Sequence, residues 1–213
     1  QFIGMEYSCG TIRNKLATGH TRMEIYLAQL ILHIFAAVIL FHLSVLTTII
    51  AGAIFNWTYY FSVQTLFAYY LACICTIIFI TAISVFVSMQ SSSNLSSLVI
   101  LLVLYIGLSM MGTNFHSALR EQEMSMTDTS QVENSLDEHY MDARTRMGFE
   151  YLLLINPYGQ ATYESMPIFE SHGEYLPMQI LKNPFPKIFL FSAVESIGIT
   201  AAGILSFRKK AIK

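Results

Sequence analysis

The chain has 213 residues, of which 54% are hydrophobic and only 12% are charged, and its formal net charge is −2. Soluble domains carry roughly 25% charged residues, so this composition indicates a membrane protein with several spans. The small net charge provides no basic field for a nucleic-acid partner, and the odd count of three cysteines argues against a disulfide framework.

The first element in chain order is a short polar segment, residues 6–22, which leads directly into an apolar run. Ile12 and Leu16 are four residues apart, so on a helix they would form a small apolar stripe. Arg13 and Lys15 lie off that stripe. On this spacing alone, two interpretations stand: an amphipathic anchor at the lipid surface, or a helix on which a soluble partner docks.

The junction between this segment and the apolar run carries a helix-start signal. Gly10 and Gly19 bracket the short helix, and Thr21-x-x-Glu24 fits a capping box at the start of the next one. The sequence therefore predicts a short interfacial helix, a glycine-led corner and then a spanning helix.

Four apolar runs are long enough to cross a bilayer, which takes about 20 helical residues. They cover residues 25–51, 61–89, 95–112 and 188–207, and none contains proline. We therefore expect an all-α polytopic membrane protein, residues 1–213 forming a single transmembrane domain with four spans.

The basic residues that flank the spans predict the orientation. Three lie before the first span and four follow the last, namely Arg13, Lys15, Arg22, Arg208, Lys209, Lys210 and Lys213. The positive-inside rule then places residues 1–22 and the C-terminus in the cytoplasm of a cell-membrane protein. Residues 113–187 would be extracellular, and they carry 11 acidic and 5 basic residues.

Within this outer segment, residues 149–155 (FEYLLLI) are apolar but too short to span. Asn156-Pro157 should end the helix, because a residue that precedes proline disfavours the helical conformation. We predict a short re-entrant helix that dips into the outer face of the membrane.

The N-terminal segment also resembles a known family. Glu6-Tyr7, followed by GTIRNKL at residues 10–16, is similar to the E-(F/Y)-x-x-G-T-I-R-N-K-L stretch of ABC-2 type (type-2) exporter permeases. In that family this stretch forms the coupling helix that docks on a separate ATPase. The resemblance assigns that docking to Gly10, Thr11, Ile12, Arg13, Asn14, Lys15 and Leu16.

The resemblance extends to YLLLINPY at residues 151–158 and to the basic tail that begins at Arg208. It implies an exporter of an amphipathic cargo (a peptide, an antibiotic or a lipid-like molecule), built from two permease subunits, identical or homologous, and two ATPase subunits. The family generally has six spans, so two spans are expected before Gln1. ATP and Mg²⁺ would be bound by the ATPase, since this chain has no G-x-x-x-x-G-K-[ST] phosphate loop and is not expected to be an enzyme by itself.

Glu195 is an acidic residue well inside the fourth predicted span. Intramembrane acids usually face a cavity or a partner, so Glu195 is a candidate for the translocation path or for gating. The alternative is a hydrogen-bonded packing residue, with His33, His42, serines or a second subunit as possible partners. The two histidines are nine residues apart and face opposite sides of one helix, so they cannot share a site.

Metal chemistry finds little support in the sequence. Glu138, His139 and Asp142 in DEHYMD are metal-ligating residue types, and Glu138 and Asp142 would share a helix face, but a solvated acidic helix accounts for this pattern better than a metal site. Cys73 and Cys75 lie about 200° apart on a helix, so they also cannot form a site together.

Other classes of function remain open from the sequence. An accessory or sensor subunit would use the acidic outer segment to bind an extracellular ligand. An ion-coupled transporter would need more than the single acid at Glu195, and it usually shows a broken helix. A membrane-embedded enzyme would need several titratable groups that converge at one depth.

Overall fold

The computed structural model describes residues 3, 6, 9–55, 63–91, 93–128, 142–161 and 184–209. Within these ranges the chain forms six helices, a short helical turn at 157–161 and no strand. The helices are α1 (Thr11–Ala17), α2 (Arg22–Ile54), α3 (Val63–Gln90), α4 (Asn94–Asp128), α5 (Ala143–Ile155) and α6 (Pro184–Lys209).

Four of these helices, α2, α3, α4 and α6, are long and apolar enough to cross a membrane. The prediction of an all-α polytopic protein with four potential spans is therefore confirmed. Many of their apolar side chains are exposed, such as Leu40 at 67% and Val103 at 64%. Such exposure in so many neighbouring residues is expected where lipid rather than water surrounds the helices.

The helices extend beyond the predicted spans at several ends. The 33 residues of α2 and the 35 residues of α4 correspond to about 50 Å of helix each, against a hydrocarbon core of ~30 Å. The helix that holds the third predicted span continues to Asp128. The first residues of the predicted outer segment are thus a continuation of that helix.

Local signals in the sequence account for where the helices begin and end. Thr21 Oγ1 accepts from the Glu24 N–H at 3.2 Å, and the Glu24 carboxylate accepts from the Thr21 N–H at 2.9 Å. The predicted capping box is therefore present. At the end of α5, Asn156 adopts an extended conformation (φ −88°, ψ 120°), as its position before Pro157 requires.

The helices pack through two clusters of buried apolar side chains. α3 packs most extensively against α6, and α2 packs against both, whereas α4 packs against α5 and α3. One cluster, which we call the α1-end cluster, consists of Ile3, Ile12, Ile25, Tyr26, Leu30, Ala82, Val85, Met89 and Phe207. The far-end cluster consists of Ala72, Leu119, Leu153, Leu154 and Ile188, and it joins α3, α4, α5 and α6.

Candidate functional site

The short helix α1 lies at one end of the bundle, between two glycines in the left-handed region. Gly10 (φ 68°) precedes the helix, and Gly19 (φ 96°) forms the corner that leads into α2. This conformation favours glycine, because a Cβ would be strained there. The chain can therefore turn sharply on both sides of α1 and lay it against the end of the bundle.

The two faces of α1 have different surroundings. Ile12 is only 1% exposed and belongs to the α1-end cluster, while Leu16 packs against that cluster from a half-buried position. Arg13, Asn14 and Ala17 are exposed on the other face. We call this second set the open face of α1.

A glutamate that precedes α1 joins three parts of the chain. The Lys15 ammonium lies 2.9 Å from Glu6 Oε1 and 3.0 Å from Oε2, and Gln29 Nε2 donates to Glu6 Oε2 at 2.6 Å. Gln29 lies on α2 and is 4% exposed. The Glu6 carboxylate therefore bridges α1 and α2 across the Gly19 corner, and the charge of Lys15 is already compensated within the chain.

The beginning of α2 is also held against the end of α6. Arg22 Nη1 donates to the carbonyl oxygens of Phe207 and Arg208 at 3.0 and 3.4 Å, where a helix C-terminus leaves carbonyls without partners of their own. The ring of Tyr26 fills the space above Gly203, and a Cβ at Gly203 would collide with it. These contacts place the first turns of α2 and the last turns of α6 side by side.

A second polar cluster lies deeper in the bundle, around the buried side chain of Gln160. Its Oε1 accepts from the hydroxyls of Thr76 at 3.2 Å and Ser192 at 2.9 Å. Its Nε2 donates to the carbonyl oxygen of Leu154 at 2.6 Å and to Glu195 Oε2 at 3.4 Å. This amide thus uses two donor and two acceptor positions, which is its full capacity.

Glu195, predicted as an intramembrane path or gating residue, is therefore in contact with Gln160. Its other carboxylate oxygen, Oε1, is buried without a hydrogen-bond partner among the residues that the structure describes. The histidines expected as possible partners are engaged elsewhere. The Nδ1 atoms of His33 and His42 lie 2.7 and 2.6 Å from the carbonyl oxygens of Gln29 and Val38, and His42 Nε2 contacts the Tyr70 hydroxyl.

The residues predicted for docking thus divide into two groups. Arg13 and Asn14 are open to a partner, whereas Ile12, Lys15 and Leu16 hold α1 on the bundle. Gly10 is the N-cap, and Thr11 is half-buried. Sequence reasoning missed the roles of Gln29 and Gln160, although an amide within a strongly apolar run, as at Gln29, indicates a buried hydrogen-bond partner.

The described ranges contain no group of three His, Cys, Asp or Glu side chains that could hold a metal ion. Of the predicted acidic pair in DEHYMD, Glu138 lies outside the described residues. Asp142 is the N-cap of α5, and its side chain accepts from the Thr145 N–H at 3.3 Å. The hydrogen bond from the Thr145 hydroxyl is the main cause that lowers the pKa of the Asp142 carboxyl from its ordinary value.

The model of a family described as "ABC-2 family transporter protein" matches residues 1–211, nearly the whole chain. No curated protein and no solved structure matches this sequence.

Proposed function

Because this chain belongs to the ABC-2 transporter family, we propose that it is the permease subunit of an ATP-driven exporter. Proteins of this family are the membrane components of ABC transporters. They work with an ABC ATPase and are not themselves catalytic. The proposed cargo is an amphipathic molecule, such as a peptide, an antibiotic or a lipid-like compound, that leaves the cell. ATP and Mg²⁺ would be bound by the partner ATPase.

The observation that carries this proposal is the two-sided environment of α1. Its open face presents Arg13 and Asn14, while Ile12 on the opposite face is buried in a cluster that includes residues of α2, α3 and α6. A force applied to the open face would therefore be passed to three long helices together. The Glu6 bridge to α2 supports the docking role, because it would hold α1 in place under such a force.

The distribution of basic residues supports the proposed orientation. Arg13 and Arg22 lie in or beside α1, and Arg22 contacts the end of α6, where Arg208 and Lys209 are exposed. Basic residues from both ends of the chain are thus at the same end of the bundle, which the positive-inside rule assigns to the cytoplasm. Residues 113–187 would then be extracellular.

In the proposed mechanism, two ATPase subunits grip the open faces of two permease subunits, which are identical or homologous. Closure of the ATPases around ATP would push each α1. Since Glu6 holds α1 to α2 across the corner, the two helices would move as one body. α2 would carry α3 and α6 with it through the α1-end cluster and open a path to the outside.

The proposed cargo follows from the character of the spanning helices. Apart from Glu195, the acid inside a predicted span, the spans consist mainly of apolar and aromatic side chains. Such a lining can hold the apolar part of a molecule, and a few polar groups would orient it. A charged, hydrophilic cargo would have to lose its hydration without compensation.

The proposal is tested with the transporter complex in lipid nanodiscs. Arg13→Glu reverses a charge on the open face, and Lys209→Glu is the matched control, because Lys209 is exposed at the same end but lies on α6. Arg13→Glu should lower the amount of ATPase that copurifies with the chain, and the rate of ATP hydrolysis by the complex, by about tenfold or more. A tenfold change corresponds to ~1.4 kcal/mol of binding free energy. Lys209→Glu should change neither. Equal recovery of the ATPase with both variants would contradict the docking role.

A further inference from the structure

The turn that follows α5 is a compact unit, which we call the wedge and define as residues 156–160. Asn156 Oδ1 accepts from the Tyr158 N–H at 3.0 Å, and the Gln160 N–H donates to the Asn156 carbonyl at 2.9 Å. Gly159 lies so close to the backbone of Leu153 that a Cβ there would collide with it. Hydrogen bonds within the wedge and its close contact with α5 therefore make it a rigid unit.

One side of the wedge is fixed to α4. Asn156 Nδ2 donates to the carbonyl oxygen of Leu108 at 2.8 Å. One turn later on α4, Gly112 makes room for the ring of Tyr158, and a Cβ there would lie 2.6 Å from Tyr158 Cδ1. A polar anchor and a close steric contact therefore join the wedge to the same stretch of α4.

The other side of the wedge is fixed to α3 and α6. Gln160, which is fully buried, accepts from Thr76 on α3 and from Ser192 on α6, and it also donates to Glu195. Thr76 and Ser192 are 3% and 0% exposed. A fully satisfied polar group in an apolar surrounding is costly to separate from its partners, so these contacts should persist when the helices move.

We propose that the wedge is the mechanical link that passes movement of the α3–α6 pair to α4, and that Gln160 is the positioning residue of this link. The inference rests on the proposed function, since that function supplies the movement at the α1 end. α2, α3 and α6 share the α1-end cluster, in which none of the α4 side chains that the structure describes takes part. α4 is instead joined to the bundle by its packing on α3 and α5, by Leu119 in the far-end cluster and by the wedge.

Two substitutions distinguish a mechanical role of the wedge from a role in packing alone. Gln160→Met keeps most of the side-chain volume and removes all four hydrogen bonds. Thr76→Val keeps the shape of Thr76 and removes one hydroxyl, and Thr76→Ser restores it. Thr81→Val is the matched control, since the Thr81 hydroxyl bonds a carbonyl of its own helix, that of Ile77, at 2.7 Å.

The first readout is the amount of a dye-labelled amphipathic peptide that the complex moves across the membrane of sealed proteoliposomes per ATP hydrolysed. Thr76→Val should lower this ratio by about fivefold, the effect of losing one buried hydrogen bond on an equilibrium. Gln160→Met should lower it further, while Thr76→Ser and Thr81→Val should leave it near that of the parent. If packing were the only role, Thr76→Val would behave like the parent.

The second readout is the movement of the helices themselves, measured between spin labels with and without ATP. Met110 on α4, Ile31 on α2 and Ile197 on α6 are 63%, 65% and 71% exposed and accept labels in a background without native cysteines. In the parent, the 110–197 distance within a subunit should stay constant when ATP binds, because the wedge makes α4 follow α6. In Gln160→Met this distance should change with ATP, while the 31–197 distance should stay constant in both, because α2 and α6 share the α1-end cluster.

The outcomes separate this inference from the proposed function. If the ATPase is recruited and the 110–197 distance stays constant on ATP binding in Gln160→Met and Thr76→Val as well, the wedge is not the link. If the parent chain does not recruit the ATPase, the proposed function itself is contradicted. If Gln160→Met does not fold, the comparison of Thr76→Val with Thr76→Ser decides: equal export per ATP in the two overturns the proposal.

Discussion

The guanidinium of Arg22, at the first residue of α2, donates to the backbone carbonyl oxygen of Phe207 at 3.0 Å, 185 residues later in the chain. Phe207 is fully buried, and its ring lies 6.4 Å from that of Tyr26. The start of the first long helix is thus fixed to the end of the last one. Whatever moves α1 and the first turn of α2 must also move the end of α6.

The first prediction concerns this contact. Arg22→Gln removes the charge that compensates the C-terminal end of α6 while it keeps part of the side-chain length. It should lower the free energy of unfolding by about 1–2 kcal/mol, through the lost charge-assisted hydrogen bonds and the lost interaction with the helix dipole. Thermal unfolding in detergent measures this loss. Arg144→Gln, an exposed residue of α5, is the control, and an equal effect of the two substitutions would count against the contact.

The second prediction concerns the close approach of α2 and α6. Gly203→Ala places a methyl group against the ring of Tyr26, so it should destabilise the bundle by about 1–3 kcal/mol, as overpacking does. Gly198→Ala on the same helix meets no atom within 4 Å and should be neutral or slightly stabilising, because alanine favours helix. Thermal unfolding of the two variants side by side tests the contact. Similar unfolding temperatures would mean that α2 and α6 are not so close.

The third prediction separates anchoring from docking on α1. Lys15→Met should lower the free energy of unfolding by up to about 1 kcal/mol, since it breaks a partly exposed ion pair. In a chain that already carries Glu6→Gln, adding Lys15→Met should lower the free energy of unfolding only slightly, because the ion pair is already broken. A double-mutant cycle of thermal unfolding measures this coupling. Additive effects of Glu6→Gln and Lys15→Met would show that the two side chains do not interact.

The fourth prediction concerns pH at the start of α5. The hydrogen bond from the Thr145 hydroxyl lowers the pKa of the Asp142 carboxyl in the folded chain. The stabilisation is therefore complete above the ordinary pKa of aspartate, near 4, and is lost as the pH falls through the lower folded value. Asp142→Asn should still cap the helix, since asparagine is also a good N-cap, but without this pH dependence.

The measurement is the difference in unfolding temperature between the parent and Asp142→Asn across this range of pH. The parent should lose more stability on acidification than the variant does. A difference that stays constant as the pH falls would mean that Asp142 does not act as a charged cap.

Features that depend on neighbouring residues could be predicted from the sequence. The four long helices follow from unbroken apolar runs, the start of α2 from Thr21 and Glu24, and the end of α5 from the residue before Pro157. Each of these is decided within a few residues or by the composition of one segment. The end of α4 could not be predicted in this way, because its apolar run ends at Gly112 whereas the helix continues to Asp128.

The contacts that organise the candidate sites could not be predicted in this way. Gln160 meets Thr76 and Ser192 across separations of 84 and 32 residues, and Gln29 meets Glu6 across 23. Periodicity within a single helix does not fix its rotation or its depth relative to another helix. The sequence therefore presented Arg13 and Lys15 as equivalent basic residues, whereas the fold exposes the first and pairs the second.

The most direct test of the central claim, that the open face of α1 receives the ATPase, is site-specific photo-crosslinking in native membranes. A photoreactive residue at Asn14 or Ala17, both exposed, should crosslink to the ATPase subunit, whereas the same residue at Ile12, which is buried, should not. The account predicts a crosslinked species at positions 14 and 17 that contains the ATPase. Crosslinks from these two positions to lipid alone would contradict it and would leave α1 as a membrane anchor.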